Sequence, residues 1–443
     1  MKKLVVLGAG ESGVGAAILG QKEGFEVWVS DKGKIQDRYK QVLEQHNITF
    51  EEGQHTKEKF FDAEVIVKSP GIPEKVPIIQ TLRAHKIPII SEIEFAARYT
   101  DARIVAITGS NGKTTTTTLI YHLLAAAGLD VGLGGNIGKS FALQVAQDPR
   151  AAYVLEISSF QLDDIERFQP EVALLLNITP DHLDRYGYQL EAYGAAKMRI
   201  TENQTPDQVF ILNGEDAETQ RQLGRHALSA QVRKFGLQAG KGIDAWIAGD
   251  ALMLKGNHVG DFRHLRLLGR HNQLNVLAAL LAVQAFGVDV LESAVQMALR
   301  QFSPIEHRLE EVAEVAGVQF INDSKATNVD AVFYALEAMN RPTIWMAGGV
   351  DKGNDYTTLQ PWVREKVKAI VVLGEHDEKF HKDFSVPVYQ VASMQEGVSQ
   401  AVRLADAGDA VLLSPACASF DLFQNYEDRG RQFKAAVKEW ATT

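Results

Sequence analysis

The chain has 443 residues, 45% hydrophobic and 23% charged, and its 46 Lys and Arg against 56 Asp and Glu leave a net charge of −10. That length suits about three domains of ~150 residues with ample core. The acidic balance argues against a general nucleic-acid binder but leaves room for local basic pockets that hold phosphates. The single cysteine, Cys417, excludes an intramolecular disulfide and fits a reducing compartment. No apolar run reaches membrane-spanning length, and the opening MKKLVVLGAG reads as a strand rather than a secretion signal, so a cytoplasmic protein is expected.

Residues 1–93 read as a Rossmann-like α/β domain. Lys3 to Leu7 is a strand, followed by Gly8-Ala9-Gly10-Glu11-Ser12-Gly13, a full GxGxxG, then a helix over 14–23 and a strand from Phe25 to Ser30 that ends at Asp31. An acid at that point can bind a ribose hydroxyl. The motif alone points to a dinucleotide only weakly, because sites of this shape take other nucleotides too. A strand from Glu64 to Lys68 ends in Ser69-Pro70-Gly71-Ile72-Pro73, either a plain turn or a rigid loop where open α/β sheets place ligands. Glu92-Ile93-Glu94 reads as the exit into the next domain.

Residues 94–302 hold the densest motif, IVAITGSNGKTTTTT from Ile104 to Thr118. An apolar strand turns through Thr108-Gly109-Ser110-Asn111-Gly112 into Lys113-Thr114-Thr115 and a helix ending near Ala127. Glycines let backbone N–H groups converge on phosphate oxygens, and the helix start adds its positive end. Lys113 would reach the outer phosphates, and Thr114 or Thr115 a Mg²⁺. Ile107 stands where the usual pattern has its first glycine, so this is a shortened P-loop. The glycine-rich run from Val131 to Gly138 around Asn136 reads as backbone pressed against a ligand, or as a turn cluster. Tyr153-Val154-Leu155 ends in Glu156, a natural second anchor for Mg²⁺ or else a helix-capping acid, with Ser158-Ser159-Phe160-Gln161 behind it. A strand from Val172 to Ile178 runs into Thr179-Pro180-Asp181-His182-Leu183-Asp184, where His182, beside an Asp just past a strand, reads as a metal or phosphate contact, or else as a structural histidine. Lys197, on its own helix, reads locally as a solvated lysine. Asn272 and Asn275 share one face of a long helix, suited to a base or phosphate.

Residues 303–443 read as a third α/β unit with a mostly parallel sheet, its boundary marked by Pro304 and the charged run Glu306 to Glu310. Strands are expected at 318–321, 343–346, 369–373, 386–390 and 410–413. Three polar loops follow strands: Asn322 to Asn328, Gly348 to Gly353, and Ser414 to Asp421 leading to Asn425 to Gly430. Such loops converge on one crevice, and their lysines and hydroxyls suit a substrate with more than one carboxylate. Cys417 reads as a small packed residue, not a nucleophile.

Together TGSNGKTT, EISSFQL, NITPDHLDRY and HNQLN resemble the central ATPase domain of the Mur ligases, relatives of folylpolyglutamate synthetase. The resemblance runs through the third domain and covers essentially the whole chain. NDSKATN, SPACASFD and NYEDRG resemble the branch that adds D-glutamate to UDP-N-acetylmuramoyl-L-alanine. The resemblance implies three domains: a Rossmann-like N-terminal domain for the UDP substrate, a central P-loop ATPase domain and a Rossmann-like C-terminal domain for the amino acid. It implies ATP contacts from Gly109, Ser110, Asn111, Gly112, Lys113, Thr114, Thr115, Asn272, Asn275, Arg308, Asp323 and Lys325. It implies two Mg²⁺, with Glu156, His182 and a carbamylated Lys197 as ligands beside the P-loop threonines, and catalytic roles for Lys113, Glu156, His182 and Lys197. Glu11, Ser12, Asp31, Ser69, Pro70, Gly71, Asn136, Gln161 and His182 are implied for the UDP-muramoyl substrate, and Thr327, Lys352, Ser419 and Phe420, with Tyr426 nearby, for D-glutamate. Lys32 and Gly33 stand where relatives often carry Thr and Arg.

The partners expected are therefore small molecules, with neither nucleic acid nor membrane, acting on a monomer. The rivals are an L-alanine-adding ligase of the same family, a nicotinamide-dependent dehydrogenase reading GxGxxG and Asp31 at face value, and a non-catalytic nucleotide sensor. A reaction assembled from three domains implies closure, with hinges expected near Glu94 and Ser303.

Overall fold

A computed structural model describes residues 2–267, 269–303, 306–351, 353–374 and 378–441. The chain divides into two compact units, Met1–Leu265 with Leu274–Gln301, and Arg266–Gln273 with Phe302–Thr443. The first carries two sheets and the second one.

Strands Lys3–Leu7 (β1), Glu26–Asp31 (β2), Thr49–Glu52 (β3), Val65–Lys68 (β4) and Ile89–Ser91 (β5) form a parallel sheet in the order β3-β2-β1-β4-β5. β1 is apolar at successive positions because both its faces are covered. Leu4 and Val6 join one core cluster, Val5 and Leu7 the other. The strand order reverses between β1 and β4, which puts the glycine loop after β1 beside the Ser69 loop after β4, where such sheets open a crevice.

The second sheet has nine strands: Arg103–Thr108 (β6), Val131–Gly135 (β7), Ala152–Glu156 (β8), Val172–Leu175 (β9), Val209–Asn213 (β10), Gln231–Phe235 (β11), Ala245–Ala248 (β12), Ala251–Leu254 (β13) and Asn257–Asp261 (β14). Their order is β14-β13-β12-β11-β10-β9-β6-β8-β7, parallel except for the antiparallel meander β12 to β14. The P-loop strand β6 thus lies between β8 and β9, so the loops after these three strands are neighbours. The glycine-rich run around Asn136 is in its first half a strand, β7, at the sheet's edge.

The exit segment, near whose Glu94 a hinge is expected, is bonded into the layer of the second sheet. Glu94 is fully buried. One carboxylate oxygen accepts the backbone N–H groups of Glu166, Arg167 and Phe168 at 2.8–2.9 Å, and the other accepts Arg98 Nε at 2.8 Å. Glu92 accepts Ser140 Oγ at 2.6 Å and the Ala142 N–H at 2.7 Å. A segment whose acids are bonded into the second sheet's layer cannot swing freely.

In the second unit, Glu310–Val315 (β15), Val318–Asn322 (β16), Thr343–Gly348 (β17), Val367–Leu373 (β18), Val388–Val391 (β19) and Ala410–Ala416 (β20) are ordered β15-β16-β20-β17-β18-β19. All pairings are parallel except β15 with β16. Alternate residues feed opposite cores: Ile321, Trp345 and Val372 on one face, Phe320, Met346 and Val371 on the other. The expected strands are all present; β15, which is not among them, begins at Glu310, the last residue of the charged boundary run.

Candidate active site

The P-loop begins the site. Gly112 caps the helix Lys113–Ala126 with φ of 83°, and a Cβ there would lie 2.3 Å from Asn275 Oδ1, so glycine is required on both counts. Lys113 Nζ donates to the carbonyls of Gly109 and Ser110 at 2.7 and 2.8 Å. The loop is fastened to the segment after β9. Ser110 Oγ donates to the Thr179 carbonyl and accepts the Thr179 N–H, both at 2.9 Å, and the Asn111 N–H donates to Asn177 Oδ1 at 2.8 Å. This brings the segment that carries His182 against the glycine loop.

Glu156 ends β8 beside that cradle, 2% exposed. Its Oε1 accepts Asn136 Nδ2 at 3.0 Å, while its buried Oε2 has no hydrogen-bond partner among the described residues. Gly135, with φ of 95°, passes so close that a Cβ would lie 2.2 Å from the Glu156 carbonyl oxygen. A buried carboxylate oxygen left without a donor is a costly arrangement for packing alone and a fitting one for a cation.

Lys197 overturns its local reading as a solvated lysine. It is 1% exposed, donates to the Gly109 carbonyl at 2.8 Å, and its ammonium lies 4.4 Å from the centre of the Tyr193 ring. Burial first, then the charge of Lys113, holds its pKa well below the usual lysine range, against the pull of Asp181 and Glu156. Asp181 is thus part of this electrostatic group, which its sequence context shows only as the neighbour of His182. His182 itself is at the rim, its side chain 46% exposed, in the left-handed region at φ of 51°, with its ring 5.2 Å from that of Phe160. Gln161 is buried; its Oε1 accepts the Ser158 N–H at 2.9 Å, capping the helix Ser159–Leu162. Its amide NH₂ makes no hydrogen bond among the described residues.

At the first sheet's crevice, Asp31 accepts the N–H of Ala9 at 2.8 Å and of Gly33 at 2.7 Å, tying the glycine loop to the turn after β2. Glu11 and Ser12 open the helix Glu11–Lys22 at the same end. Ser69, Pro70 and Gly71 follow β4 next to them, with Ser69 Oγ 3.4 Å from the Gly8 carbonyl. Asn275 is buried in the first unit beside Gly112, and Asn272 is buried in the second.

In the second unit the three loops do converge. Val350 and Ala418 form a β-bridge that joins two of them, and Asn354 Nδ2 donates to the Ala416 carbonyl at 3.1 Å. Arg429, 1% exposed, binds the other pair. Its guanidinium donates to Ser324 Oγ at 3.0 Å, the Ser324 carbonyl at 2.8 Å and the Cys417 carbonyl at 3.2 Å. Burial lowers its pKa to about 10. Sequence reasoning missed this residue; a lone arginine beside a glycine at a helix start carries no local sign of its partners. Lys325 Nζ donates to the Tyr426 hydroxyl at 2.7 Å. Asp323 accepts Ser414 Oγ at 2.8 Å and the Leu309 N–H at 3.2 Å, and burial pushes its pKa up to about 7 in spite of Arg308 and Arg429. Ser419 is buried, Thr327 half-buried and Phe420 74% exposed. Lys352 lies outside the described residues. Cys417 packs against Tyr356, its thiol pushed up by burial.

Among the described residues no helix is long and apolar enough to cross a membrane. Three family models match the chain: the MurD N-terminal domain over residues 3–76, the Mur ligase middle domain over 107–283, and the Mur ligase, glutamate ligase domain over 307–417. The chain is 50% identical over 445 residues to the UDP-N-acetylmuramoylalanine–D-glutamate ligase of Bacteroides fragilis, covering 99% of this chain and 100% of that one. The crystal structure of a UDP-N-acetylmuramate-alanine ligase from Thermotoga maritima is similar at a TM-score of 0.63 and 19% identity, over 99% of this chain and 100% of that one. A MurF ligase from Thermotoga maritima in complex with ADP matches at 0.61 and 16% identity, over 94% and 96%.

Proposed function

The chain belongs to the Mur ligase family, and on that footing we propose that it joins D-glutamate to UDP-N-acetylmuramoyl-L-alanine with ATP as the second substrate. The observation that carries this reading is the full-length 50% identity to a ligase of that name. The segments 1–93, 94–302 and 303–443 divide the work among UDP substrate, ATP and amino acid. An alanyl carboxylate oxygen attacks the γ-phosphorus of ATP, the bond to the β-bridging oxygen breaks, and ADP leaves with that electron pair. The resulting acyl phosphate is attacked at carbon by the amine of D-glutamate, which loses a proton as inorganic phosphate departs and the amide forms.

This chain's residues act by position and charge. Glu11, Ser12, Asp31 and the Ser69-Pro70-Gly71 loop hold the UDP moiety, and Asn136, the free amide of Gln161 and His182 orient the muramoyl end. Lys113 and the P-loop amides face the phosphates. The orphaned Glu156 Oε2 supports a divalent cation, held by Glu156, His182, Thr114 or Thr115, and Lys197. Bound Mg²⁺ supplies positive charge to offset what develops on the transferring phosphoryl group. Lys197 serves as a ligand after carbamylation: its depressed pKa leaves the amine free to add to CO₂, losing a proton and becoming an anion. Thr327, Lys352, Ser419, Phe420 and Tyr426 receive D-glutamate. A single chain carries every group required, in keeping with a cytoplasmic monomer.

Phosphate release from ATP with UDP-N-acetylmuramoyl-L-alanine and a panel of D-Glu, L-Glu, L-Ala, L-Lys and glycine tests the reading. Release with D-Glu alone is expected. Release with a different amino acid keeps the mechanism and overturns the branch; no release with any amino acid overturns the ligase reading.

A further inference from the structure

Lys68 is a lysine with almost no solvent contact, its side chain 2% exposed at the last position of β4, immediately before the Ser69-Pro70-Gly71 loop. Its ammonium is held by three groups: the Ile72 carbonyl at 3.2 Å, Glu74 Oε1 at 3.0 Å and Asp164 Oδ2 at 3.0 Å. Asp164, its side chain 1% exposed, lies just past the helix Ser159–Leu162 and so belongs to the layer of the nine-stranded sheet. Its second oxygen takes Arg83, and its backbone carbonyl accepts the Ser91 N–H at 2.8 Å. From the opposite side, Arg185 Nη2 lies 3.5 Å from the carbonyls of Pro70 and Ile72. The Arg185 guanidinium stacks 4.2 Å above the ring of Phe160, the ring that also meets His182.

The Ile72 carbonyl thus faces two cations, buried Lys68 at 3.2 Å and Arg185 at 3.5 Å, and the Pro70 carbonyl faces Arg185. Stability does not demand this. A buried Lys–Asp pair is no more stable than well-packed apolar residues, because desolvation cancels the attraction, but it does fix geometry. We propose that Lys68, paired with Asp164, is a positioning residue for the UDP substrate, holding the Ser69–Ile72 loop in the shape that receives a pyrimidine nucleoside diphosphate, and that Arg185 ties this loop to the His182 segment. The inference deepens the reading of residues 1–93 as the UDP site and rests on it.

Lys68→Met alone would leave Asp164 Oδ2 buried without its cation and endanger folding, so the decisive variant is Lys68→Met with Asp164→Leu, which removes both charges and leaves Arg83 its contact with Glu74 at 3.4 Å. UDP binding is read by calorimetry, and turnover by phosphate release. The expected result is UDP affinity weakened roughly tenfold and KM for the UDP substrate raised to match, with kcat and KM for ATP within about twofold of the unaltered protein. Arg185→Ala should raise the same KM and lower kcat as well, because it also frees the His182 segment. Unchanged UDP affinity in a folded double variant overturns the inference, as does equal weakening of UDP and ATP. If the unaltered protein binds no UDP, the loop assignment itself falls and takes the inference with it. If it binds UDP but fails the amino-acid panel, the ligase reading falls while the calorimetric test of Lys68 still stands.

Discussion

Glu94 and Glu156 are both buried carboxylates in the first unit, and their surroundings treat them in opposite ways. Glu94 is saturated: three backbone N–H groups and an arginine satisfy it, and these donors hold its pKa below the ordinary glutamate value despite burial. Among the described residues Glu156 has one donor, from Asn136, and a second oxygen with none. A saturated acid is structural because no ligand could improve its surroundings, whereas an unsaturated one is poised for a partner that arrives later. The same contrast separates Lys68, whose ammonium meets two carboxylates and a carbonyl, from Lys197, buried beside another lysine.

The sharpest break of this comparison is Glu94→Ala, which leaves three backbone N–H groups and Arg98 without their acceptor and should cost about 3–5 kcal/mol in denaturant unfolding. A loss under ~1 kcal/mol would show that saturation does not mark a structural acid. Lys197→Ala should instead leave the fold in place and lower kcat roughly a hundred- to a thousandfold, with partial rescue by formate or acetate standing in for the carbamate. Full activity in that variant would remove Lys197 from the site.

Glu92 tests the pH side of the comparison. Burial raises its pKa to about 7, above the unfolded value, so the folded state favours the protonated form. The sign follows from linkage: its contribution to stability is fully present below about pH 4 and is lost as pH rises through about 7. Glu92→Gln keeps an acceptor for Ser140 and Ala142, so it should stabilise the protein at pH 8 by on the order of 3 kcal/mol and do nothing at pH 4. Thermal melts at the two pH values check this; an equal shift at both would refute it. Glu94, its pKa lowered, has the reverse sign, stabilising above about pH 4.5 and failing as the medium acidifies. The smallest effect is expected from Glu156→Gln, which should leave the melting temperature unchanged or slightly raised while the Mg²⁺ concentration for half-maximal rate rises about tenfold.

The sequence carries the parts of the site that are local. A strand, a glycine turn and a lysine announce the P-loop because its chemistry is contiguous, and the loops after β1, β4, β16, β17 and β20 were legible because Gly, Pro, Ser and Asn gather at strand ends. What depends on packing was not. Lys197 sits on a short helix with no local sign of burial, and only the structure shows it against the Gly109 carbonyl. β15 does not stand out as a strand because Glu310, Glu311 and Glu314 interrupt its apolar residues, as an edge strand with a wet face allows. The meander β12 to β14 is too short and mixed to stand out. Nothing around Glu94 announces its burial, because its donors come from residues 166–168, far along the chain.

Arg429 has a consequence in time. The Ser324 groups it holds lie 105 residues earlier in the chain, and at ribosomal speeds of about 5–20 residues per second that gap lasts roughly 5 to 20 s. During that interval the loop after β16 has been synthesised but has nothing to close it, and the Cys417 carbonyl emerges only shortly before its partner. The loop crevice of the second unit is therefore among the last parts of the protein to mature on the ribosome, and a nascent chain stalled before Arg429 would hold a finished P-loop sheet with no latched crevice.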